Sequence, residues 1–123
     1  MRAGGALQPE SIEEMNMSPE ADKTRRKFLE GVLRHQPDDA FARYGLALEL
    51  TNSEPAAAWT HFEYLLSHHP EYSATYSQAG AFLRKQGRIE EARKVLTTGV
   101  EVTGRQGKQH AQSELRTALD DLN

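Results

Sequence analysis

Apolar residues recur along this chain at spacings of three and four, and each amphipathic stretch is closed by a proline, a glycine or a short polar side chain. Ser18 followed by Pro19 is a helix start: the hydroxyl can accept an orphan backbone N–H, and proline lacks the one that the first turn leaves unsatisfied. The helix it opens is predicted over 19–35. Phe28, Leu29, Val32 and Leu33 form one stripe on it, beside the charged run from Lys23 to Lys27. Pro37 ends it, and Asp38 and Asp39 bring acceptors and negative charge to a second helix, 38–51, with Phe41, Tyr44, Leu46, Ala47, Leu48 and Leu50. Asn52 and Ser53 break that helix. Glu54 and Pro55 suit the first turn of a third, which carries Ala58, Phe62, Leu65 and Leu66 to about residue 69, where Pro70 stops it. A fourth, 72–86, holds Tyr72, Tyr76, Ala79, Gly80 and Leu83, and Gly87 turns the chain into a fifth at 89–103. Gly104 to Gly107 predict a further break before a last helix at about 106–121, with Ala111, Leu115, Ala118, Leu119 and Leu122 on one side. No stretch carries a competing strand signal, so the fold class is all-α with about six helices.

Residues 1–17 differ from this pattern. Gly4, Gly5, Pro9, Glu10, Glu13 and Glu14 outnumber the sizeable apolar groups, too few to offset the entropy of ordering, which predicts a flexible N-terminal tail with a docked turn around Ile12 to Met17 as the alternative. Residues 18–123 are expected to form one helical domain.

Pro37 and Pro70 lie 33 residues apart, and overlaying the two segments that begin at these prolines puts Leu46 on Ala79, Ala47 on Gly80 and Leu50 on Leu83. With one residue fewer in the first copy's turn, Ala58 falls on Ala92, Phe62 on Leu96, Leu65 on Gly99 and Pro70 on Gly104. This period of paired helices, with small residues at the crossings and a proline before each new pair, resembles the tetratricopeptide repeat. The second copy, 71–104, is the better match: Tyr76, Ala79, Gly80, Leu83, Gly87, Ala92 and Leu96 resemble the family's signature positions. The first copy, 38–70, is looser, with Arg43 in place of the aromatic at Tyr76, Ala47 in place of the glycine, and Asn52 to Pro55 in place of the glycine turn. The opening helix resembles a degraded half-repeat, since Arg25 occupies the place of the small Ala58. The last helix, with Glu114 on the glycine position, resembles a terminal cap. The resemblance implies antiparallel helical hairpins in a right-handed superhelix. Gly45 and Gly80, inside helices at about 1 kcal/mol each relative to Ala, predict close backbone approach; Gly31 and Gly99 carry the same cost with no reason visible in sequence.

Charge and composition narrow the function. Fifteen Lys and Arg against 18 Asp and Glu give a net charge of −3, without the cationic excess that would neutralise many phosphates, so nucleic acid is not an expected partner. No apolar run approaches the roughly 20 residues that cross a bilayer, and Met1 to Leu7 lack the apolar core of a signal peptide. With no cysteine, thiolate chemistry and disulfides are excluded, and a reducing cytoplasm, in a bacterial setting, is the expected location.

In the family it resembles, the first helix of each pair lines a concave groove that holds an extended peptide or a partner helix. That resemblance implies a groove of Phe41, Tyr44, Leu48, Thr51 and Asn52 from the first pair, with Ala74, Ser77, Ala81, Arg84 and Lys85 from the second. The Phe41, Tyr44 and Leu48 face lies opposite Leu46 and Leu50, so this helix is apolar on two sides and needs two neighbours. The opening helix and a binding partner are alternative occupants of the second. The chaperone-tail version of the family clamps a terminal carboxylate with Lys and Asn; here Tyr44, Leu48 and Gln78 stand in those places, and Lys108 alone fits.

No catalytic constellation is legible. His61 and His68 lie about 10 Å apart along a helix, too far for one zinc ion, and His69 is adjacent to His68. His110 with Glu114 has no third ligand at suitable spacing, and Glu90, Glu91, Asp120 and Asp121 fall at helix ends. The expected function is a non-catalytic interaction module without cofactor or metal, binding an unidentified protein or peptide. A self-associating homodimer is the alternative, and a histidine metal binder a more remote one.

Overall fold

The computed structural model describes the backbone of residues 19–123 and the side chains of residues 23–123, so the predicted tail and the Ser18 cap lie outside the described residues. Among the described residues there are six helices and no strand: α1 (Pro19–His35), α2 (Ala40–Leu50), α3 (Pro55–His68), α4 (Ala74–Lys85), α5 (Ile89–Arg105) and α6 (Gln109–Asp120).

Local chemistry sets the boundaries. Asp39 is the N-cap of α2, its carboxylate accepting from the Ala42 N–H at 2.8 Å, so the helix begins two residues later than the acidic pair predicted. Pro55 opens α3 where its missing N–H costs nothing. The predicted break at Gly104 does not occur. α5 runs through Gly104 to Arg105, and the chain turns at Gln106, Gly107 and Lys108. This turn repeats Gln86, Gly87 and Arg88 between α4 and α5: the glycines have φ of 79° and 72°, and the backbone N–H groups of Arg88 and Lys108 donate back to the Leu83 and Thr103 carbonyls at 2.9 Å. Such a left-handed residue stops a helix, whereas a helical glycine only weakens it.

The pairs α2/α3 and α4/α5 are antiparallel hairpins, stacked on each other and flanked by α1 and α6. One core cluster joins the hairpins through Ala47, Leu50, Ala58, Phe62, Ala79, Phe82, Leu83 and Ala92. A second joins α4 and α5 to α6 through Tyr76, Leu96, Val102 and Leu115, and a third seats Leu29 of α1 on Ala42 and Leu46. The apolar stripe predicted on α1 is only partly used: Leu29 is buried, Val32 and Leu33 are half-buried, and Phe28 stays 69% exposed, because α1 is wider in its apolar face than α2 can cover.

The close approaches against core side chains fall at Gly80 and Gly99, whereas at Gly104 an added Cβ would meet only the far end of the Gln112 side chain, at 2.5 Å from Nε2. A Cβ on Gly80 would lie 2.5 Å from Leu96 Cδ2, and one on Gly99 would lie 2.6 Å from Tyr76 Cβ. Gly45 is a milder case, since its nearest neighbour at 3.0 Å is a movable Leu29 methyl.

Candidate partner-binding face

On α2, Phe41, Tyr44 and Leu48 follow one another at three- and four-residue steps, which puts them on one face, and Asn52, in the turn just past the helix end, continues the spacing. Thirty-three residues on, Ala74, Ser77, Ala81 and Lys85 repeat the spacing on α4. The two stripes meet at their C-terminal ends, where Lys85 Nζ donates to Asn52 Oδ1 at 2.9 Å. Near their N-terminal ends Tyr44 packs edge-on against Tyr72, ring centroids 5.7 Å apart, and burial, with Tyr72 second, pushes the Tyr44 phenol up. Phe41 and Leu48 are 71% and 37% exposed. Thr51 instead turns its hydroxyl to the Leu48 carbonyl at 3.1 Å.

The described part of α1 does not lie across this face. It packs on a neighbouring flank of α2, with Leu29 against Ala42 and Leu46, Arg25 paired with Glu49, and Arg26 with Glu54 at 2.6 Å.

Beside the α4 stripe a cavity of about 470 Å³ opens between α4, α5 and α6, lined by Ser77, Gly80, Ala81, Arg84, Lys85, Leu96 and Ala118. It gathers Ser77, Ala81, Arg84 and Lys85 into one site; Phe41, Tyr44, Leu48 and Asn52 lie outside its lining. The sequence marks Leu96 and Ala118 only as packing positions. The signal that could have placed Leu96 is Gly80, whose missing side chain lets Leu96 pack directly on the α4 backbone.

A polar network lies around α3. Arg43, which replaces the aromatic of the second copy, donates to the Pro37 carbonyl at 2.7 Å, and the Tyr76 hydroxyl donates to the Pro70 carbonyl at the same distance. Two unlike side chains thus tie each pair's first helix to its preceding proline. The Arg43 guanidinium also lies 3.7 Å from the Tyr64 ring centroid and 3.3 Å from His61 Nδ1. An arginine only donates, so His61 Nδ1 accepts and the ring is neutral. Asp38 accepts from Tyr64 and bonds His69 Nε2, both at 2.8 Å, which holds its carboxyl below the usual range. His68 stacks on Tyr64 at 4.0 Å, and His110 meets Glu114 at 3.5 Å. Among the described residues no three potential metal ligands converge.

Burial, and after it the Arg43 guanidinium, holds the His61 ring below the ordinary histidine range. A depressed histidine contributes stability that is complete above its unfolded value of about 6.5 and is lost as pH falls through the folded value. The urea midpoint should therefore be flat above about pH 7 and fall as the pH drops below about 6.5. His61→Gln should flatten that fall; an unchanged slope in the variant would show that other groups carry it.

No family model matches the sequence, nor does any curated protein. Two solved structures are similar over most of the chain. A tetratricopeptide repeat domain protein from Salinibacter ruber is 33% identical, with 71% of this chain and 89% of that one covered at a TM-score of 0.66. A protein from Bordetella parapertussis is 28% identical, with 79% and 85% covered at a TM-score of 0.67. Among the described residues no helix is long and apolar enough to cross a membrane. With helical hairpins stacked at a 33-residue period as in a right-handed superhelix, and a third of its aligned residues shared with the Salinibacter protein, the chain belongs to the tetratricopeptide repeat family.

Proposed function

We propose that this chain is a non-catalytic interaction module that takes an extended peptide or a helix of a partner protein across the face built by α2 and α4. The observation that carries the reading is the exposure of Phe41 and Leu48 on the same face as Asn52, Lys85 and the adjoining cavity. Exposed aromatic and aliphatic groups beside an open groove are the anchors that interfaces use. The fold is in general one of protein interaction. A non-catalytic role is supported by the acids as well: Arg88 grips Glu91 with two bonds of 2.7 Å and holds its carboxyl low, the reverse of what a general acid needs. The absence of cysteine favours a reducing cytoplasm, and both similar structures come from bacteria.

Capture from a lysate of the source organism tests the face. The pair Phe41→Glu and Leu48→Glu alters exposed side chains, where stability changes by about 0.5 kcal/mol or less. We expect the doubly substituted protein to melt as the parent does and to lose the retained partner. Retention of the same set would move binding to another surface.

Self-association is a second reading, favoured by Phe28, which with Val32 borders an open depression on the outer side of α1. Light scattering that stays monomeric at high concentration, with no change on Phe28→Ser, would remove it.

A further inference from the structure

The cavity between α4, α5 and α6 has a composition that selects its occupant. Gly80, Ala81, Leu96 and Ala118 make its walls small or aliphatic, while Arg84 and Lys85 stand in a lining that holds no carboxylate. Their charge is not cancelled: neither has an ion-pair partner among the described residues, and Lys85 is held by the neutral Asn52 amide at 2.9 Å. Arg26, Arg88, Arg93 and Arg105 by contrast each meet a glutamate. In a chain of net charge −3 this is a local reversal of sign. The two cations also complement the C-terminal dipole of α4, which accounts for their place on the helix but not for their bordering an open apolar cavity.

We infer that this cavity receives an aliphatic side chain from an acidic partner segment, whose flanking Asp or Glu carboxylates pair with Arg84 and Lys85. The inference rests on the partner-binding reading of this face. A volume of about 470 Å³ admits an aliphatic side chain together with adjoining backbone. The guanidinium fork takes a carboxylate through two parallel bonds, and the lysine follows a second acid on its flexible stem. A basic segment meets two like charges at the same rim, so the site discriminates by repulsion as well as attraction.

The probe is a fluorescein-labelled peptide, Gly-Ser-Asp-Asp-Leu-Asp-Asp-Ser-Gly, amidated at its C-terminus so that only side-chain carboxylates are presented. Anisotropy at about 50 mM salt should show saturable binding that weakens as salt rises. Replacing the four Asp by Lys should weaken it by about tenfold or more, and replacing Leu by Ser by about fivefold. Arg84→Glu with Lys85→Glu should cost about tenfold, and Ala81→Glu, which fills and recharges the cavity from an exposed position, a similar factor. Circular dichroism confirms that the variants remain helical. No binding at about 1 mM peptide, equal binding of the lysine peptide, or indifference to the charge reversal would each overturn the inference. If the peptide fails while capture still depends on Phe41 and Leu48, the face binds a partner of other chemistry and this inference alone falls. If both fail, the reading beneath it falls too.

Discussion

Phe62→Ala is expected to cost about 3–5 kcal/mol and to lower the melting midpoint by roughly 15 °C or more. Phe62 is completely buried at the junction of the two hairpins, with its ring 5.6 Å from that of Phe82 and Ala47, Leu50, Ala79 and Leu83 in the same cluster. Trp59 lies parallel to the other side of this group, stacked on Phe82 at 6.2 Å. Truncation leaves a void that helices pinned by their own backbone bonds fill only in part. The core is shared, since one helical pair cannot bury its apolar face alone, so the loss reaches both hairpins at once. Against a total stability of about 5–15 kcal/mol, this single truncation removes about a fifth or more of what holds the fold. Urea melts followed by circular dichroism measure the difference; a cost below about 1 kcal/mol would mean that the hairpins do not depend on this junction.

The second large effect is at Gly99. Its Cβ position lies 2.6 Å from Tyr76 Cβ and 3.1 Å from Leu115 Cδ1. The first of these atoms is fixed to the α4 backbone, so relief requires α4 and α5 to separate. Overpacking of this kind costs about 1–3 kcal/mol, which outweighs the gain of up to about 1 kcal/mol from replacing a helical glycine by alanine. Gly99→Ala should therefore destabilise, and Gly99→Leu more so. Gly31 is the control, because its nearest neighbour is the Arg34 guanidinium at 3.5 Å, the free end of a flexible side chain. Gly31→Ala should gain about 0.5–1 kcal/mol. If both alanine variants stabilise equally, the close contact of α4 with α5 is not a constraint on the fold.

The elements were legible because their stops are local: Pro37, Pro70 and Gly87 act through their own backbone. The extension of α5 past Gly104 was not, because composition alone does not distinguish a glycine that weakens a helix from one, Gly107, that ends it with φ of 72°. The signal lay in the repetition of a Gln-Gly-cation turn at 86–88 and 106–108. The exposure of Phe28 depends on how much of α1 its neighbour covers, and the role of Gly99 on which atom faces it across a helix crossing, and neither is a property of local sequence. Arg43 departed from the repeat in kind but not in the bond it makes, since a hydrogen bond constrains donor position more than side-chain identity.

The candidate face divides in the same way. Its two stripes follow from helical spacing and a 33-residue period, and the Asn52 to Lys85 bond sets them side by side. Which of those residues share a cavity is decided by α5 and α6, whose Leu96 and Ala118 complete it from distant parts of the chain.

Site-specific photo-crosslinking in cells measures the central claim most directly. A photoreactive amino acid is placed in turn at exposed Leu48 and Ser77, on the α2–α4 face, and at exposed Glu63 and Thr97, on the second helix of each hairpin. The account predicts a common adduct of one partner mass from positions 48 and 77 and none from 63 and 97. An adduct from 63 or 97 with positions 48 and 77 silent would contradict it, and would move the interaction to the outer surface of the repeat.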